Sequence, residues 1–436
     1  MKYPYGSVYK EQKLFTMAFF INRTSFFIFL CASLLCACKQ ETQWKGQAPI
    51  KKVSTQTVPI QLQFKGTFDL GDGVFMSNDY MGARLNGVAR TNDTLISVLI
   101  TPENLPINPS PWYGFKIWSE TEKEIFVKLT YNENAFHRYD PRISRDGQKW
   151  EVLDSLKYQV DIKIWEEREV PENLTMKISI GKDTLWISAQ ELITFSEVDI
   201  WMDKLASKSF VSKSKIGESK VGRPINLLTI GTSDDQKMII AISRQHPPEV
   251  TGFLAMKAFV EILCSDAKMA KKFRARYNTY VVPLVNPDGV DNGHWRHNYG
   301  GIDLNRDWKD FKQPETSAIR DFMKQKVTQT GGKFYFGVDF HSTWEDIFYT
   351  INPELKGNMP GLIPELIASI GNELEDYKPN VKPSLGAGNE ITSKAFFFNE
   401  FGAESLTYEV GDNTPREFVR QKGEIAAMQL MELMLK

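Results

Sequence analysis

Four residues, His246-Pro-Pro-Glu249, place an imidazole and a carboxylate three positions apart. They stand between a strand-like run, Met238 to Ser243, and a helix-like run, Val250 to Leu263. A neutral imidazole and a carboxylate converging at such a turn can share one Zn²⁺. A tetrahedral ion then needs a third protein ligand elsewhere, with the fourth position kept for water. The chain has five histidines, which shortens the search. His341 ends another strand-like run, Phe334-Tyr-Phe-Gly-Val-Asp-Phe-His341, and is the natural third ligand. A His-x-x-Glu alone is equally the signature of a helix-opening turn with a surface glutamate, so the elements around it have to decide.

After about Ile200, strand-like runs (Ile225 to Ile230, Met238 to Ser243, Thr279 to Val285, Phe334 to Phe340, Ser405 to Val410) alternate with helical ones. Val250, Phe253, Leu254, Ala258 and Ile262 mark one apolar helix face. The last helix is expected to open with Thr414 as N-cap, Pro415 at its first position and Glu417 closing a capping box. This alternation predicts a mixed or parallel sheet with helices on both faces. His246 lies just past one strand, Asn286 past another, His341 at the end of a third and Glu409 near the end of a fourth. Open α/β sheets bind ligands beyond the carboxyl ends of their strands, so residues this far apart in the chain can meet at one rim.

Between Val58 and about Glu191 the texture is β. Runs such as Gln61–Phe64, Leu95–Ile100, Trp112–Trp118, Ile125–Leu129 and Tyr158–Trp165 are broken by Gly71-Asp-Gly73, Asn108-Pro-Ser-Pro111 and Arg145-Asp-Gly147. An antiparallel sandwich is expected, acting as a positioning module, with His137 an isolated surface or turn residue. At the N-terminus, Lys10, Lys13 and Arg23 precede the apolar run Phe26 to Leu35, which has the length of a signal h-region. Three of the four cysteines (Cys31, Cys36, Cys38) fall in or at the end of that segment. Cys264 alone remains beyond it, read as inert packing, so no disulfide can form there. A formal net charge of -1 argues against nucleic acid or an anionic membrane surface as an electrostatic partner.

Taken together, Ile216-Gly-Glu-Ser-Lys-Val-Gly-Arg-Pro-Ile225, His246-Pro-Pro-Glu249, Asn286-Pro-Asp-Gly289, Trp295-Arg296, Gly301-Ile-Asp-Leu-Asn-Arg-Asp-Trp308, Asp339-Phe-His341 and Thr407-Tyr-Glu409 resemble the zinc carboxypeptidase family in order and approximate spacing. Pro111-Trp-Tyr-Gly-Phe115 and Tyr139-Asp-Pro-Arg142 further resemble its cytosolic-type, deglutamylase-like branch, which carries a β-sandwich before the peptidase. Leu35-Cys-Ala-Cys38 resembles the bacterial lipoprotein cleavage box, with a plain secretory signal as the alternative. The organisation so implied is a lipoprotein signal peptide over 1–38, a tether over 39–57, the sandwich over 58–198 and a catalytic domain over 199–436.

The resemblance implies one zinc per chain, held by His246, Glu249 and His341. It makes Glu409 the general base for the hydrolytic water and Arg296 the donor to the developing oxyanion. Asn305 and Arg306 would clamp the substrate's terminal carboxylate, the contact that makes an exopeptidase. Lys394, fifteen residues before Glu409, falls at the base of the side-chain pocket and implies a preference for acidic C-terminal residues. The competing reading of Arg306 is a solvated loop in which it merely pairs with Asp303 and Asp307, and His294 and His297 are expected to be polar loop groups rather than ligands. Two departures stand out. Pro247 and Pro248 occupy positions where many relatives carry a third basic residue, and the neighbourhood of the family's mobile tyrosine reads Leu385-Gly-Ala-Gly-Asn-Glu390, a glycine-rich candidate lid with no tyrosine. The expected protein is a lipid-anchored exopeptidase of the bacterial cell envelope, attached through Cys38, or a secreted one. The alternatives are a peptidase for cell-wall peptides and a binding protein that keeps the fold without turnover.

Overall fold

The centre of the molecule is a strand that is apolar throughout between its first residue, Lys237, and its last, Ser243. In the computed structural model, which describes residues 58–234, 236–384 and 391–436, Lys237–Ser243 has six consecutive buried residues after Lys237. Such an unbroken apolar run is the mark of a strand covered on both faces. It is the fourth member of an eight-stranded mixed sheet. In chain order the strands of the whole chain are β1 (Thr67–Asp69), β2 (Val74–Ser77), β3 (Gly87–Arg90), β4 (Leu95–Ile100), β5 (Gly114–Ser119), β6 (Lys123–Tyr131), β7 (Arg142–Ser144), β8 (Glu151–Val152), β9 (Tyr158–Trp165), β10 (Arg168–Ile180) and β11 (Leu185–Ser188) in the first part. The second part adds β12 (Val211–Glu218), β13 (Pro224–Ile230), β14 (Lys237–Ser243), β15 (Asn278–Val282), β16 (Lys333–Thr343), β17 (Ile347–Thr350), β18 (Val381–Pro383) and β19 (Glu404–Gly411).

The large sheet runs β12-β13-β15-β14-β16-β19-β17-β18, with parallel pairing from β15 through β14 and β16 to β19. Alternate residues of β14 serve opposite faces. Ile239 and Ala241 join a core with Phe253, Phe259, Leu430 and Met431, whereas Met238, Ile240 and Ile242 join one with Ile319, Met323, Phe396 and Phe397. Helices α2 (Val250–Leu263) and α8 (Arg416–Leu435) therefore cover the first face. On the other side lie α5 (Pro314–Thr330) and α7 (Ser393–Phe401). The remaining helices are α1 (Phe195–Ala206), α3 (Lys268–Arg274), α4 (Pro287–Asp291) and α6 (Leu362–Glu373).

The first part is two sheets, β1-β2-β5-β11-β7-β8 and β3-β4-β6-β10-β9, around their own core of Val98, Tyr113, Phe115, Val127 and Met176. Trp295 and Val250 of the second part complete that core. The sandwich is not wholly antiparallel: β4 and β6 pair in parallel over Leu95–Ile100 and Phe126–Tyr131. Gln61–Phe64 forms no strand. His137 is buried, not exposed, its Nδ1 2.8 Å from the Tyr131 hydroxyl, and burial pushes its pKa down to about 4. Helix α8 begins one residue later than expected, because Pro415 has an extended ψ of 131° and is itself the cap. Thr414 caps nothing, and Glu417 turns to Arg420. The expected signal peptide and tether, and the glycine-rich candidate lid, lie outside the described residues. Among the described residues no helix is long and apolar enough to cross a membrane.

Candidate metal centre and active site

Parallel pairing puts the carboxyl ends of β14, β16 and β19 side by side. Ile242 lies opposite Asp339 and His341 opposite Glu409. Beyond Ser243 the chain turns sharply at Arg244, which holds a left-handed φ of 56°, and its Nη2 donates to the Pro247 carbonyl at 2.7 Å. A non-glycine residue pays in strain for that conformation. The turn delivers His246 over the rim and sets Glu249 at the start of α2.

The candidate ligand atoms of His246, Glu249 and His341 all lie within 4.8 Å of one another, and all three residues are buried. His246 Nδ1 is 2.8 Å from Glu249 Oε1 and His341 Nδ1 is 2.6 Å from Glu249 Oε2. Each ring's other nitrogen faces a second carboxylate: His246 Nε2 lies 2.9 Å from Asp303 Oδ1, and His341 Nε2 2.7 Å from Asp339 Oδ2. A carboxylate holding the proton on Nε2 leaves the Nδ1 lone pair for an ion, the usual arrangement behind a metal-bound histidine. Burial opposes charge on His341, yet Asp339 and Glu249 outweigh it and hold the imidazole well above its ordinary pKa. Burial likewise opposes ionisation of Glu249, and His246 and His341 overcome it and hold the carboxyl far below the usual range. Two imidazoles, each oriented by a carboxylate behind it, and the Glu249 carboxylate between them suit a zinc ion in chemistry and in number.

Glu409 lines the same cavity. Burial pushes its carboxyl upward, and its Oε2 has no partner among the described residues. A buried oxygen without a donor is costly unless a ligand or water supplies one. Arg296 is 8% exposed; its Nε donates to Asp303 Oδ2 at 2.7 Å. Asn305 is held by the Ser393 N–H, which donates to its Oδ1 at 3.0 Å, and Arg306, more exposed, donates through Nη1 to the Asn305 carbonyl at 2.8 Å. Lys394, at the start of α7, is 4% exposed, and its Nζ donates to Ser384 Oγ at 2.8 Å. One cavity of about 760 Å³ is lined by all eight: His246, Glu249, Arg296, Asn305, Arg306, His341, Lys394 and Glu409.

The neighbours of these residues bear on the competing readings. Asp303 pairs with Arg296 and His246, which speaks against the solvated loop in which it would pair with Arg306. Asp307 instead accepts from the N–H groups of Lys312 and Gln313 and from the Thr316 hydroxyl, so it caps the approach to α5. His294 and His297 are loop polar groups, but buried ones: the Glu103 carboxylate accepts from the N–H groups of Trp295, Arg296 and His297. Sequence reasoning missed Asp339, two residues before His341, and Arg138 and Tyr349, which line the cavity. The Asp-x-His spacing was a signal for the first. Nothing local to the chain pointed to Arg138, which enters from the sandwich and donates to Asp412 Oδ2 at 2.7 Å and to the Ser342 carbonyl at 3.3 Å.

The fold and the site are those of a metallopeptidase, and comparison with known proteins agrees. The sequence profile described as zinc carboxypeptidase matches residues 198–426, so the chain belongs to the zinc carboxypeptidase family. It is similar to cytosolic carboxypeptidase 6 of Caenorhabditis elegans, 30% identical over 159 residues, covering 34% of this chain and 35% of that protein. With human cytosolic carboxypeptidase 6 it shares 27% over 163 residues, covering 34% and 32%. The chain thus spans about a third of the length of these relatives. Among solved structures, a metallo-carboxypeptidase from Burkholderia cenocepacia superposes with a TM-score of 0.66 at 17% identity, over 83% of this chain and 100% of that one. One from Pseudomonas aeruginosa gives 0.65 at 18%, over 82% and 98%. These two matches establish the fold, and their coverage reaches well beyond residues 198–426 into the sandwich.

Proposed function

We propose that the protein is a zinc-dependent exopeptidase that removes C-terminal residues from peptides. The observation that carries this reading is the meeting, in one cavity, of a three-ligand set, a carboxylate with a buried oxygen that has no partner among the described residues, and the cationic Arg296, Arg306 and Lys394. A zinc ion on His246, Glu249 and His341 would supply Lewis acidity to a substrate carbonyl and to water. Glu409, through Oε2, takes the proton of the attacking water and hands it to the departing amine. Arg296, locked by Asp303, donates to the oxygen on which charge develops. Arg306 and Asn305 hold the terminal carboxylate, and Lys394 supports a preference for an acidic last residue. The phenol missing from the candidate lid has a substitute in Tyr349, which lines the cavity and feels the Glu409 charge. The Leu35-Cys-Ala-Cys38 box supports a cell-envelope location with a lipid on Cys38.

Metal analysis and a peptide library with varied C-termini, run on wild type and Glu409→Gln, test this. One zinc per chain is expected in both, with kcat lowered about 10²–10⁴-fold in the variant. Peptides ending in Glu should be cut faster than those ending in Leu or Lys, and amidated ones should resist. Fractionation with the membrane is expected for the full chain and not for Cys38→Ala. A protein that binds zinc yet cuts no peptide, or one indifferent to C-terminal amidation, would be no exopeptidase.

A further inference from the structure

A second cavity, of about 570 Å³, opens between the sandwich loops and is lined by Leu105, Pro106, Ile107, Pro109, Asn132 and Trp295 among others. Both of its walls run on into the catalytic cavity. Along the sandwich wall, Ile107 lines the slot, Pro109 lines both cavities, and Asn108 and Ser110 line the catalytic one. On a second stretch of chain, Trp295, buried in the sandwich core with its indole N–H donating to the Trp112 carbonyl at 3.1 Å, backs the slot, and the next residue, Arg296, lines the site. The two cavities are thus neighbours along two separate stretches of chain.

Direction follows from the chemistry proposed above, on which this inference rests. If Arg306, Asn305 and Lys394 take the end of the substrate, the rest of the chain must leave on another side. Arg296 and Asn108–Ser110 line the same cavity next to the slot, which gives the chain a way out there. Its lining is mainly apolar: Leu105 is 58% exposed, Pro106 and Pro109 are rigid, and beside Asn132 and Asn134 the one charged residue lining it is Glu133. Within it, Asn132 Oδ1 is buried with no partner among the described residues, although its Nδ2 donates to the Glu133 carbonyl at 3.1 Å. A buried acceptor in an apolar slot is satisfied by an N–H that a ligand brings. An extended peptide offers such an N–H together with apolar side chains.

We propose that this slot binds uncharged, apolar residues of the substrate upstream of the scissile bond, so that the enzyme reads a peptide several residues back from its end. The experiment compares two substrates with the same C-terminal residue, an N-acylated dipeptide and a longer peptide with Leu, Val or Phe upstream, on zinc-loaded wild type and Leu105→Asp. Leu105 is exposed, so the substitution should leave folding intact. The expected result is a loss of about tenfold or more in kcat/KM for the long peptide, carried by KM, with the dipeptide unchanged. Wild type should also prefer apolar to acidic upstream residues. An equal loss on both substrates, or none, overturns the proposal. So does a change of oligomeric mass in Leu105→Asp, which would give the slot to a second copy of the chain. If wild type cuts no peptide at all, the exopeptidase reading fails by itself. Anisotropy of the long peptide, labelled at its N-terminus, on Glu409→Gln with and without Leu105→Asp then decides the slot: weaker binding with Leu105→Asp supports it, and equal binding rejects it.

Discussion

Asp303 has two jobs on one carboxylate. Oδ1 lies against the Nε2 of His246 and accepts from the Asn305 N–H, while Oδ2 accepts from Arg296 Nε. It therefore orients a metal ligand and the proposed oxyanion donor together. Burial opposes its charge, but Arg296 and His246 outweigh burial and hold its carboxyl well below the usual range. Asp303→Asn keeps the shape and removes the charge. Zinc affinity is expected to fall about 10–100-fold, as for other groups behind metal ligands. A chelator competition titration reads that loss. Saturating zinc should refill the site without restoring kcat, because Arg296 is still loosened; full recovery of kcat would show that Asp303 serves the metal alone. His246, Glu249 and His341 were in view from residue type and strand ends, and the other five candidates had their roles only through the family resemblance, Lys394 by a count of fifteen positions back from Glu409; all eight line one cavity. Asp303 was in view only as a possible partner of Arg306 in a solvated loop, not as the group behind His246 and Arg296. Spacing says which residues come near one another, but the pairing of a carboxylate depends on side-chain directions that only the folded loop sets.

At the level of elements, the site depends on how closely α2 approaches the sheet. A Cβ on Gly252 would run into the backbone of His341, and a Cβ on Gly423 of α8 would run into the Ala255 carbonyl of α2. The helix that starts with Glu249 is thus pressed against the strand that carries His341 on one side and against α8 on the other. Gly252→Ala is expected to cost about 1–3 kcal/mol of stability, as overpacking of a tight contact does. It should weaken zinc binding as well, since the His341 backbone must shift. Gly423→Ala should cost a similar amount while leaving zinc affinity nearly unchanged, because its clash is remote from the ligands. Thermal unfolding and zinc titration on the two variants separate the effects, and equal zinc affinities would mean that α2 does not set the ligand geometry. The central strands were readable from their apolar runs, since both faces are covered. The polar edge strand β12 and the short β17 and β18 were not: a strand buried on one side, or three or four residues long, leaves too little pattern to see. The start of α8 was misread for a related reason. A Thr-Pro-x-Glu pattern permits a capping box, but the extended Pro415 and the grip of Arg416 on Glu191 settle the chain differently.

For the molecule as a whole, the two parts meet through buried charge. Arg138 reaches Asp412, and Glu103 takes the N–H groups of Trp295, Arg296 and His297, residues about 190 positions away. No local pattern could announce such contacts, which is why the sandwich read only as a positioning module. Glu103 carries the stronger consequence, because the loop it holds presents Arg296 to the cavity. Burial opposes its charge, but His294, Arg84 and His297, together with the N–H of His297, outweigh burial and keep its carboxyl below the ordinary 4.5. A carboxyl depressed in the folded state stabilises fully above its unfolded pKa and loses that contribution as pH falls through the folded value. Glu103→Gln leaves one carbonyl oxygen for three N–H donors and turns an amide N–H toward the rest, at a cost of about 1–3 kcal/mol near neutral pH. Unfolding midpoints for wild type and variant should lie furthest apart at neutral pH and draw together as the medium is acidified below 4.5, where the wild-type carboxyl also loses its charge. At neutral pH the variant should also show a lower kcat, because the backbone that carries Arg296 is no longer tied to the sandwich. A gap in stability that stays constant across that pH range, or an unaltered kcat, would mean that the carboxylate neither anchors the loop by its charge nor carries the sandwich's influence to the active site.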